Sequence, residues 1–464
     1  MKELSNAKYE DLKYLAVDLP EDILKEKWSG NFDRTRELIA CRRSEPIPQA
    51  LERRLELELK NLQDLENCYT VTREEALRQV RQRIPEISEE EFDRLQMEGK
   101  LDWIYLNGEV RYLRSFCATL FKVNPDLWQR CRQGCQSDDQ VLDDLISGLV
   151  DGQEICCHIH IRHEVSLEGQ AVEEGKNLHV HIPVPLERDQ VANLQLLEAV
   201  PQPVHMAEPG DHQPTVYFEA PAQQGQVFSV EYAFDHKTSY VDLSKAVRQK
   251  AAQMPLPEET KDDLCEQLPH IRFTPYLQSL AEEIRGEETN PLLIARRIYD
   301  FITTRVRYAF MRDYACIDGL AEYCALNLKG DCGVQALLFI TLCRICGIPA
   351  KWQSGIDAKP GDVGPHDWAM FYIPGTGWAY ADLSYGGAAY IRGAYHRWNY
   401  FFGNADPYRI PINDGFQRDF NPSKGFWRND PYDNQTGEAE YDDHGVNGDD
   451  LEYRYREIDI HRIR

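Results

Sequence analysis

Three residues whose side chains can act together in covalent catalysis follow one another in the second half of the chain: Cys332, His366 and Asp382. A cysteine thiolate attacks carbonyl carbon readily, a histidine can take up and return the proton, and a carboxylate can orient the imidazole. This order of residue types predicts a site for thiol-dependent acyl transfer.

The sequence around Cys332 predicts that the thiol lies at the start of a helix. Val334 opens a run with helical spacing that reaches Ile345, and Gly347 followed by Pro349 is a stop signal. Unpaired backbone N–H groups and the positive end of the helix dipole favour a thiolate at such a position. The backbone N–H of Cys332 could also stabilise a tetrahedral oxyanion.

His366 and Asp382 flank a predicted hairpin. The apolar segment from Trp368 to Ile373 is typical of a strand, residues 374–377 contain the turn sequence Pro-Gly-Thr-Gly, and residues 378–380 continue as a second strand. A short hairpin would bring His366 and Asp382 to the same rim. We expect Asp382 to accept the Nδ1 proton of His366 and the Nε2 atom to face Cys332.

These segments resemble the core of the transglutaminase-like superfamily over roughly residues 270–415. The resemblance rests on the following motifs: Gly330-Asp331-Cys332-Gly333, Gly347-Ile348-Pro349-Ala350, His366-Asp367-Trp368, Tyr372-Ile373-Pro374-Gly375-Thr376-Gly377-Trp378 and Asp382. It implies a papain-like α+β core, a helix packed on an antiparallel sheet, with Cys332 as nucleophile, His366 as base and then acid, and Asp382 as the orienting carboxylate. Residues 151–245 also look similar to the β-domain that precedes this core in some bacterial members.

The chain departs from the family pattern at two places. Crosslinking members commonly use an upstream tryptophan to stabilise the oxyanion, yet this chain has none between Trp128 and Trp352, and Asn327 is a hypothetical replacement donor. Asp367 stands where alanine is frequent, which would alter access of the acyl acceptor. The resemblance implies a thioester on Cys332, and we favour its hydrolysis, as in a peptidase or deamidase. Amine transfer by a crosslinking enzyme, and a catalytically idle scaffold, stay open.

Aromatic residues near the predicted site could line a groove for an extended peptide or protein substrate. We single out four of them as candidate substrate-binding residues, although several could equally belong to the core: Trp352, Trp368, Trp378 and Tyr385.

Residues 1–150 are predicted to be a helical region with a hairpin near 102–113. Amphipathic stretches lie near 8–16, 32–41 and 48–64, and capping boxes pair Thr72 with Glu75 and Ser88 with Glu91. Asn107-Gly108 suits a two-residue type I′ turn, so the region is similar to a winged helix. The helix after Ser88 begins with three glutamates, which argues against nucleic-acid binding and favours a packing or docking module.

Residues 151–245 predict a small β-sandwich, because apolar and polar residues alternate along them. Four histidines on these strands could meet across a hairpin and hold a metal, or could belong to a polar, solvated face. They are His158, His160, His179 and His181. Cys343 and Cys346 have the spacing of a metal or redox pair but lack a matching second pair. We therefore assign no metal site and no cofactor.

Residues 246–464 are predicted to hold the catalytic domain and a C-terminal extension. Helices should resume near 246, residues 429–450 have the composition of a mobile segment, and a final edge strand should follow at 453–460.

Composition indicates where the protein acts. There are 52 basic and 77 acidic residues, and the net charge of -25 disfavours nucleic acid and anionic membranes as partners. No apolar run of about 18 residues and no signal peptide is evident. The thirteen cysteines are expected to be free thiols, so we predict a cytoplasmic protein.

Overall fold

The computed structural model describes residues 9–131, 140–188, 190–208, 210–243 and 254–463. The chain divides into two compact units, each assembled from three stretches of sequence. Unit 1 comprises Met1–Asp139, Gln267–Arg272 and Val306–Asp331, and unit 2 comprises Gln140–Glu266, Phe273–Arg305 and Cys332–Arg464.

The described α-helices are α1 (Glu21–Trp28), α2 (Phe32–Arg43), α3 (Gln49–Cys68), α4 (Arg73–Arg83), α5 (Glu89–Met97), α6 (Phe116–Val123), α7 (Pro125–Arg130), α8 (Gln140–Val150), α9 (Pro275–Arg285), α10 (Pro291–Arg305), α11 (Leu320–Asn327), α12 (Cys332–Ile345), α13 (Leu383–Ile391) and α14 (Tyr395–Tyr400). The strands are β1 (Val71–Thr72), β2 (Trp103–Leu106), β3 (Glu109–Tyr112), β4 (Ile155–Leu167), β5 (Asn177–Pro183), β6 (Val191–Val200), β7 (His205–Met206), β8 (Thr215–Pro221), β9 (Val227–Thr238), β10 (Arg307–Tyr308), β11 (Lys329–Gly330), β12 (Ala350–Lys359), β13 (Asp362–Ile373), β14 (Gly377–Ala381), β15 (Phe402–Gly403), β16 (Arg409–Asn413), β17 (Glu438–Tyr441) and β18 (Leu451–Arg462).

Unit 1 is mainly helical and carries a three-stranded sheet of order β1-β3-β2. The predicted hairpin is present, and Asn107 and Gly108 have φ values of 47° and 88°, as a type I′ turn requires. Both predicted caps form, because the side chains of Thr72 and Ser88 accept the backbone N–H groups of Glu75 and Glu91. The amphipathic stretch near 8–16 is a 3₁₀ helix over Tyr9–Ala16 rather than an α-helix.

Unit 2 contains a β-sandwich whose two sheets have the orders β18-β4-β9-β6 and β17-β5-β8-β7. Alternate residues of β4 are buried, so one face of each strand supplies the core. The same core contains Ile356 and Ile410 from the neighbouring five-stranded sheet. The edge strand predicted at 453–460 is present as β18. It pairs with β4 along its length and so belongs to the β-sandwich.

The five-stranded sheet has the order β15-β14-β13-β12-β16 and is antiparallel throughout. Helix α12 packs on it and is buried from Gly333 to Arg344, which explains why its sequence is apolar all round. Gly355 is required where β12 meets β16, because a Cβ atom there would lie 1.8 Å from the carbonyl oxygen of Ile410. The fold is α+β with a helix packed on an antiparallel sheet, as the sequence predicts.

One expectation about the C-terminal half falls outside the described residues, and another needs correction. The boundary predicted at 245–246, with the helix expected to resume there, lies in residues 244–253, outside the described residues. The first half of the segment 429–450 does not have the exposure expected of a mobile linker, since Asp433, Asn434 and Glu438 are all buried, whereas 442–443 and 447–449 are exposed. Glu438 and Asn434 cap turns; Glu438, for example, accepts the backbone N–H groups of Asn429 and Asp430.

Candidate active site

Cys332 is the first residue of α12, as the sequence predicts, and its side chain is half-buried. The N–H groups of a first helical turn have no acceptor within the helix. The dipole of the helix also favours a negative charge at this end. Cys332 therefore occupies a position suited both to a thiolate and to an oxyanion that forms beside it.

His366 and Asp382 are joined by a hydrogen bond, as the predicted hairpin requires. His366 lies on β13 and Asp382 directly follows β14, and both side chains are buried. His366 Nε2 is 2.8 Å from Asp382 Oδ2, while Asp382 Oδ1 accepts the backbone N–H of Tyr385 at 3.0 Å. Asp382 thus caps helix α13 with one oxygen and holds the imidazole with the other.

The ring atom that meets Asp382 is the opposite of the one expected. We predicted contact through Nδ1, but the structure has Nε2 in that place. Ala369 pairs with Ala381, so a residue at 382 lies across from position 368, and the side chains of His366 and Asp382 must together span about 6–7 Å along the strand. Nε2 lies farther from the backbone than Nδ1 and makes the contact, and Nδ1 is left as the atom available for proton exchange.

Charges around Asp382 keep its carboxyl ionised. Burial alone would raise the pKa of this group, but the pKa is lowered because His366 and Arg409 outweigh the burial. An ionised carboxylate can only accept hydrogen bonds. His366 Nε2 is therefore the donor, which leaves the lone pair of a neutral imidazole on Nδ1.

The Cys332 thiol contacts the residue that follows His366. Cys332 Sγ lies 3.3 Å from Asp367 Oδ2, and Gln435 Nε2 donates to Asp367 Oδ1 at 2.9 Å. Gln435 Nε2 also lies 2.9 Å from the backbone oxygen of His366. The sequence marked Asp367 only as a departure from the family pattern. Nothing in the sequence indicated Gln435, which lies in the segment expected to be mobile.

Two of the four aromatic candidates belong to the core. Trp352 and Trp368 are each 2% exposed, and their indole N–H groups donate to Asp433 Oδ2 and Gln353 Oε1. Of the two alternatives that the sequence left open for them, a groove or the core, the structure favours the core, because a wholly buried indole with a protein acceptor offers no surface to a substrate.

The other two aromatic candidates lie at different places. Trp378 pairs with Tyr372, six residues along β13 from His366 and so about 20 Å away, which removes it from the site. Tyr385 is adjacent to the site, because its ring meets His366 edge-on with centroids 5.1 Å apart. Its hydroxyl contacts Asp357, and this contact fixes the Tyr385 ring in its place against the imidazole.

Asn327 does not have the surroundings of an oxyanion donor. It is the last residue of α11, is exposed, and its Nδ2 donates to the backbone oxygen of Tyr323 at 2.8 Å. This bond satisfies a carbonyl at the end of its own helix. Of the two oxyanion donors that the sequence suggested, the geometry favours the backbone N–H of Cys332 over the side chain of Asn327.

The four histidines of the sandwich do not meet across a hairpin. His158 and His160 lie on β4, whereas His179 and His181 lie on β5, which belongs to the other sheet. His158 pairs with Asp235 and His160 with Glu231. Within the described residues, no group of three or more His, Cys, Asp and Glu side chains has the arrangement of a metal site.

The family model of the transglutaminase-like superfamily matches residues 278–383, a segment that contains Cys332, His366 and Asp382. The chain contains a transglutaminase-like domain. At the level of reaction class, this domain indicates a thiol-dependent enzyme.

A relative and two solved structures share similarity with this transglutaminase-like chain. An uncharacterized protein of Haemophilus influenzae is 28% identical over 141 residues, 25% of this chain and 37% of that protein. This chain therefore spans little more than a third of that relative's length. The crystal structure of a candidate cysteine protease from Cytophaga hutchinsonii is 17% identical, with a TM-score of 0.44 over 66% of this chain and 92% of the other. The periplasmic domain of TgpA from Pseudomonas aeruginosa is 12% identical, with a TM-score of 0.26 over 55% and 96%.

Among the residues that the structure describes, none of the helices combines the length and the apolar character needed to cross a bilayer.

Proposed function

We propose that the protein cleaves amide bonds of a peptide or protein substrate, in the backbone or in a glutamine side chain, through a thioester on Cys332. The observation that carries the proposal is the buried His366–Asp382 pair, with the Cys332 thiol contacting the next residue of the same strand. A thiol at a helix N-terminus and an imidazole oriented by a carboxylate are the two components that acyl transfer needs.

The proposed reaction uses His366 Nδ1 as the proton carrier. The sulfur of Cys332 attacks the amide carbon while its proton passes to Nδ1. The tetrahedral intermediate then collapses as Nδ1 delivers that proton to the leaving amine or ammonia. In the second half, water attacks the thioester and gives its proton to Nδ1. The carbon–sulfur bond then breaks, a carboxylic acid leaves, and the thiol is restored.

We favour water over a lysine amine as the acceptor. The chain lacks a tryptophan between Trp128 and Trp352, where crosslinking relatives stabilise their oxyanion. Asp367 also stands beside the nucleophile at a position where alanine is frequent.

The cysteines among the described residues are free thiols, which fits a reducing compartment. We therefore propose a cytoplasmic enzyme that binds neither nucleic acid nor membranes.

Selective thiol labelling tests whether the site is active. We expect iodoacetamide at pH 6 to modify Cys332 at least tenfold faster than the exposed Cys41, and His366→Ala to abolish the excess. His396→Ala, at an exposed histidine of the same unit, is the matched control and should leave the rate unchanged. Equal rates at Cys332 and Cys41 would favour the idle scaffold.

Mass spectrometry of a glutamine-containing peptide separates the reactions. Backbone cleavage indicates a peptidase, and a gain of about one dalton indicates a deamidase, as expected for the hydrolytic half reaction. Incorporation of an added primary amine as the main product would overturn hydrolysis in favour of crosslinking. Cys332→Ser should remove all three products.

A further inference from the structure

Arg409 is a buried arginine that touches the proposed catalytic pair. It lies on β16 and is 1% exposed. Its Nε donates to Asp382 Oδ2 at 3.1 Å, the same oxygen that meets His366 Nε2. The other two nitrogens face two more carboxylates: Nη1 lies 2.7 Å from Asp357 Oδ1, and Nη2 lies 3.1 Å from Asp406 Oδ2.

The contacts of Arg409 depend on the planar, three-nitrogen shape of its guanidinium group. Each of its three nitrogens faces a different carboxylate, and its plane lies over the Tyr385 ring at 3.9 Å from the centroid. Tyr385 in turn meets the other side of the arrangement, since its ring contacts His366. Among the described residues only Nε makes a hydrogen bond, to Asp382, whereas Nη1 and Nη2 contact their carboxylates as ion pairs. A planar guanidinium keeps this donor and the two charge contacts in a fixed mutual orientation, whereas the ammonium of a lysine is a point charge.

We propose that Arg409 is a positioning residue: it fixes the rotamer of Asp382 in which Oδ2 accepts from His366, and so sustains the imidazolium that the reaction requires. This inference rests on the proposed function. Its physical basis is that the Tyr385 N–H fixes Oδ1 of this carboxylate and Arg409 Nε fixes Oδ2, so the group keeps one orientation while the imidazole gains and loses its proton.

The charges that surround Arg409 come from every element packed on it. Asp357 and Lys359 are contributed by β12, Asp382 by the end of β14, Asp406 by the loop before β16, and His366 by β13. The phenols of Tyr385 and Tyr400 complete the surroundings. Burial alone would lower the pKa of the guanidinium, but the carboxylates raise it instead. Arg409 therefore stays charged while His366 changes its protonation.

Arg409→Lys tests the inference through the pH dependence of Cys332 alkylation. The variant keeps the charge but loses the Nε donor, so Oδ2 of Asp382 is no longer held while Oδ1 stays on the Tyr385 N–H, and the imidazolium loses support. We expect the pH at which Cys332 becomes reactive to move upward and the rate at pH 6 to fall at least threefold. If Arg409 only competed with His366 for Oδ2 of Asp382, its loss would strengthen the support of the imidazolium. The pH midpoint of Cys332 alkylation would then move downward. That result, or an unchanged profile, would overturn the inference.

Arg54→Lys is the matched control. Arg54 is also 1% exposed and also faces two carboxylates, Glu58 and Asp318, but it belongs to unit 1. We expect this variant to lose stability without any change in the alkylation profile. An equal shift in both variants would show a general effect of a buried lysine and would overturn the positioning role.

A second variant covers the case in which Arg409→Lys does not fold. In Asp406→Asn, Oδ1 can still accept the Tyr408 N–H, so the amide nitrogen replaces Oδ2 and opposes Arg409 Nη2 donor to donor. The guanidinium must shift, and we expect an upward movement of the midpoint smaller than that in Arg409→Lys. No movement in a folded variant would contradict the inference. A wild-type enzyme without selective Cys332 labelling would instead contradict the proposed function itself.

Discussion

The carboxyl group of Asp367 alters the resting state of the Cys332 thiol. A thiol that donates to a carboxylate 3.3 Å away is held in its protonated form, because the thiolate would be repelled by the neighbouring negative charge. The helix N-terminus acts in the opposite direction and favours the thiolate. The reactivity of Cys332 at a given pH therefore depends on the balance between one side chain and one helix end.

Replacing Asp367 by alanine should release this restraint. We expect Asp367→Ala to increase the rate of Cys332 alkylation at pH 6 by about tenfold, because the thiolate no longer faces a negative charge. The measurement is the pH profile of carboxymethylation, followed by peptide mapping. Asp362→Ala, at an exposed aspartate of the same strand, should leave the profile as it is. A slower reaction in Asp367→Ala would show that the carboxyl group assists the thiol.

Asp433 provides a second residue-level effect, on stability rather than reactivity. Burial, with a further contribution from Asp367, raises the pKa of Asp433 to about 6. A carboxyl whose pKa is raised on folding stabilises the folded state below its unfolded pKa of about 4, and this contribution is lost as the pH rises through about 6. Two pKa units correspond to roughly 3 kcal/mol at pH 7.5.

The variant Asp433→Asn cannot ionise and should remove this dependence. We expect its melting temperature relative to the wild type to increase steadily from pH 4 to pH 7.5. Thermal unfolding followed by circular dichroism at several pH values provides the measurement. Asp362→Asn again serves as the exposed control. A constant difference between variant and wild type would mean that Asp433 ionises in the folded protein without cost.

At the scale of elements, short local signals were predictable from sequence. The caps at Thr72 and Ser88, the turn at Asn107-Gly108 and the start of α12 at Cys332 each depend on neighbouring residues alone. The ring nitrogen that meets Asp382 was not predictable, because it depends on the register between β13 and β14. Arg409 and Gln435 were missed since they reach the site only through the pairing of distant segments.

The hairpin turn of unit 1 allows a direct test. Gly108 has a φ of 88°, and a Cβ atom at this position would meet nothing within 4 Å. The only expected cost of Gly108→Ala is therefore backbone strain of about 1 kcal/mol or slightly more. Chemical denaturation should show a correspondingly lower free energy of unfolding. Gly319→Ala is the control, because that site is equally open but has a φ of -153°; similar losses in both would argue against strain at the turn.

At the scale of the whole molecule, sequence order and spatial order differ. The predicted C-terminal extension does not stand apart from the β-sandwich, because β17 pairs with β5 and β18 pairs with β4. Residues of the sandwich and of the five-stranded sheet share one core. Sequence patterns could show that 453–460 is a strand, but they carry no information about which strand is its partner.

Two isoleucines of β18 test this shared core. Ile460 is 9% exposed and belongs to the core, whereas Ile458 is 47% exposed. We expect Ile460→Ala to lower the free energy of unfolding of unit 2 by about 2 kcal/mol, and Ile458→Ala to change it by less than about 0.5 kcal/mol. Denaturant unfolding provides the measurement. Equal effects would show that β18 does not contribute an inward face.

The pairing of β18 with β4 has a consequence during protein synthesis. Almost three hundred residues separate the two strands, so β4 leaves the ribosome long before its neighbour is translated. Until then, the β4 edge of its sheet has no partner strand. That sheet shares a core with β12 and β16 of the five-stranded sheet that contains His366. A nascent or prematurely terminated polypeptide should therefore lack a finished thiol site, which would spare the ribosome and its surroundings from unwanted acyl transfer.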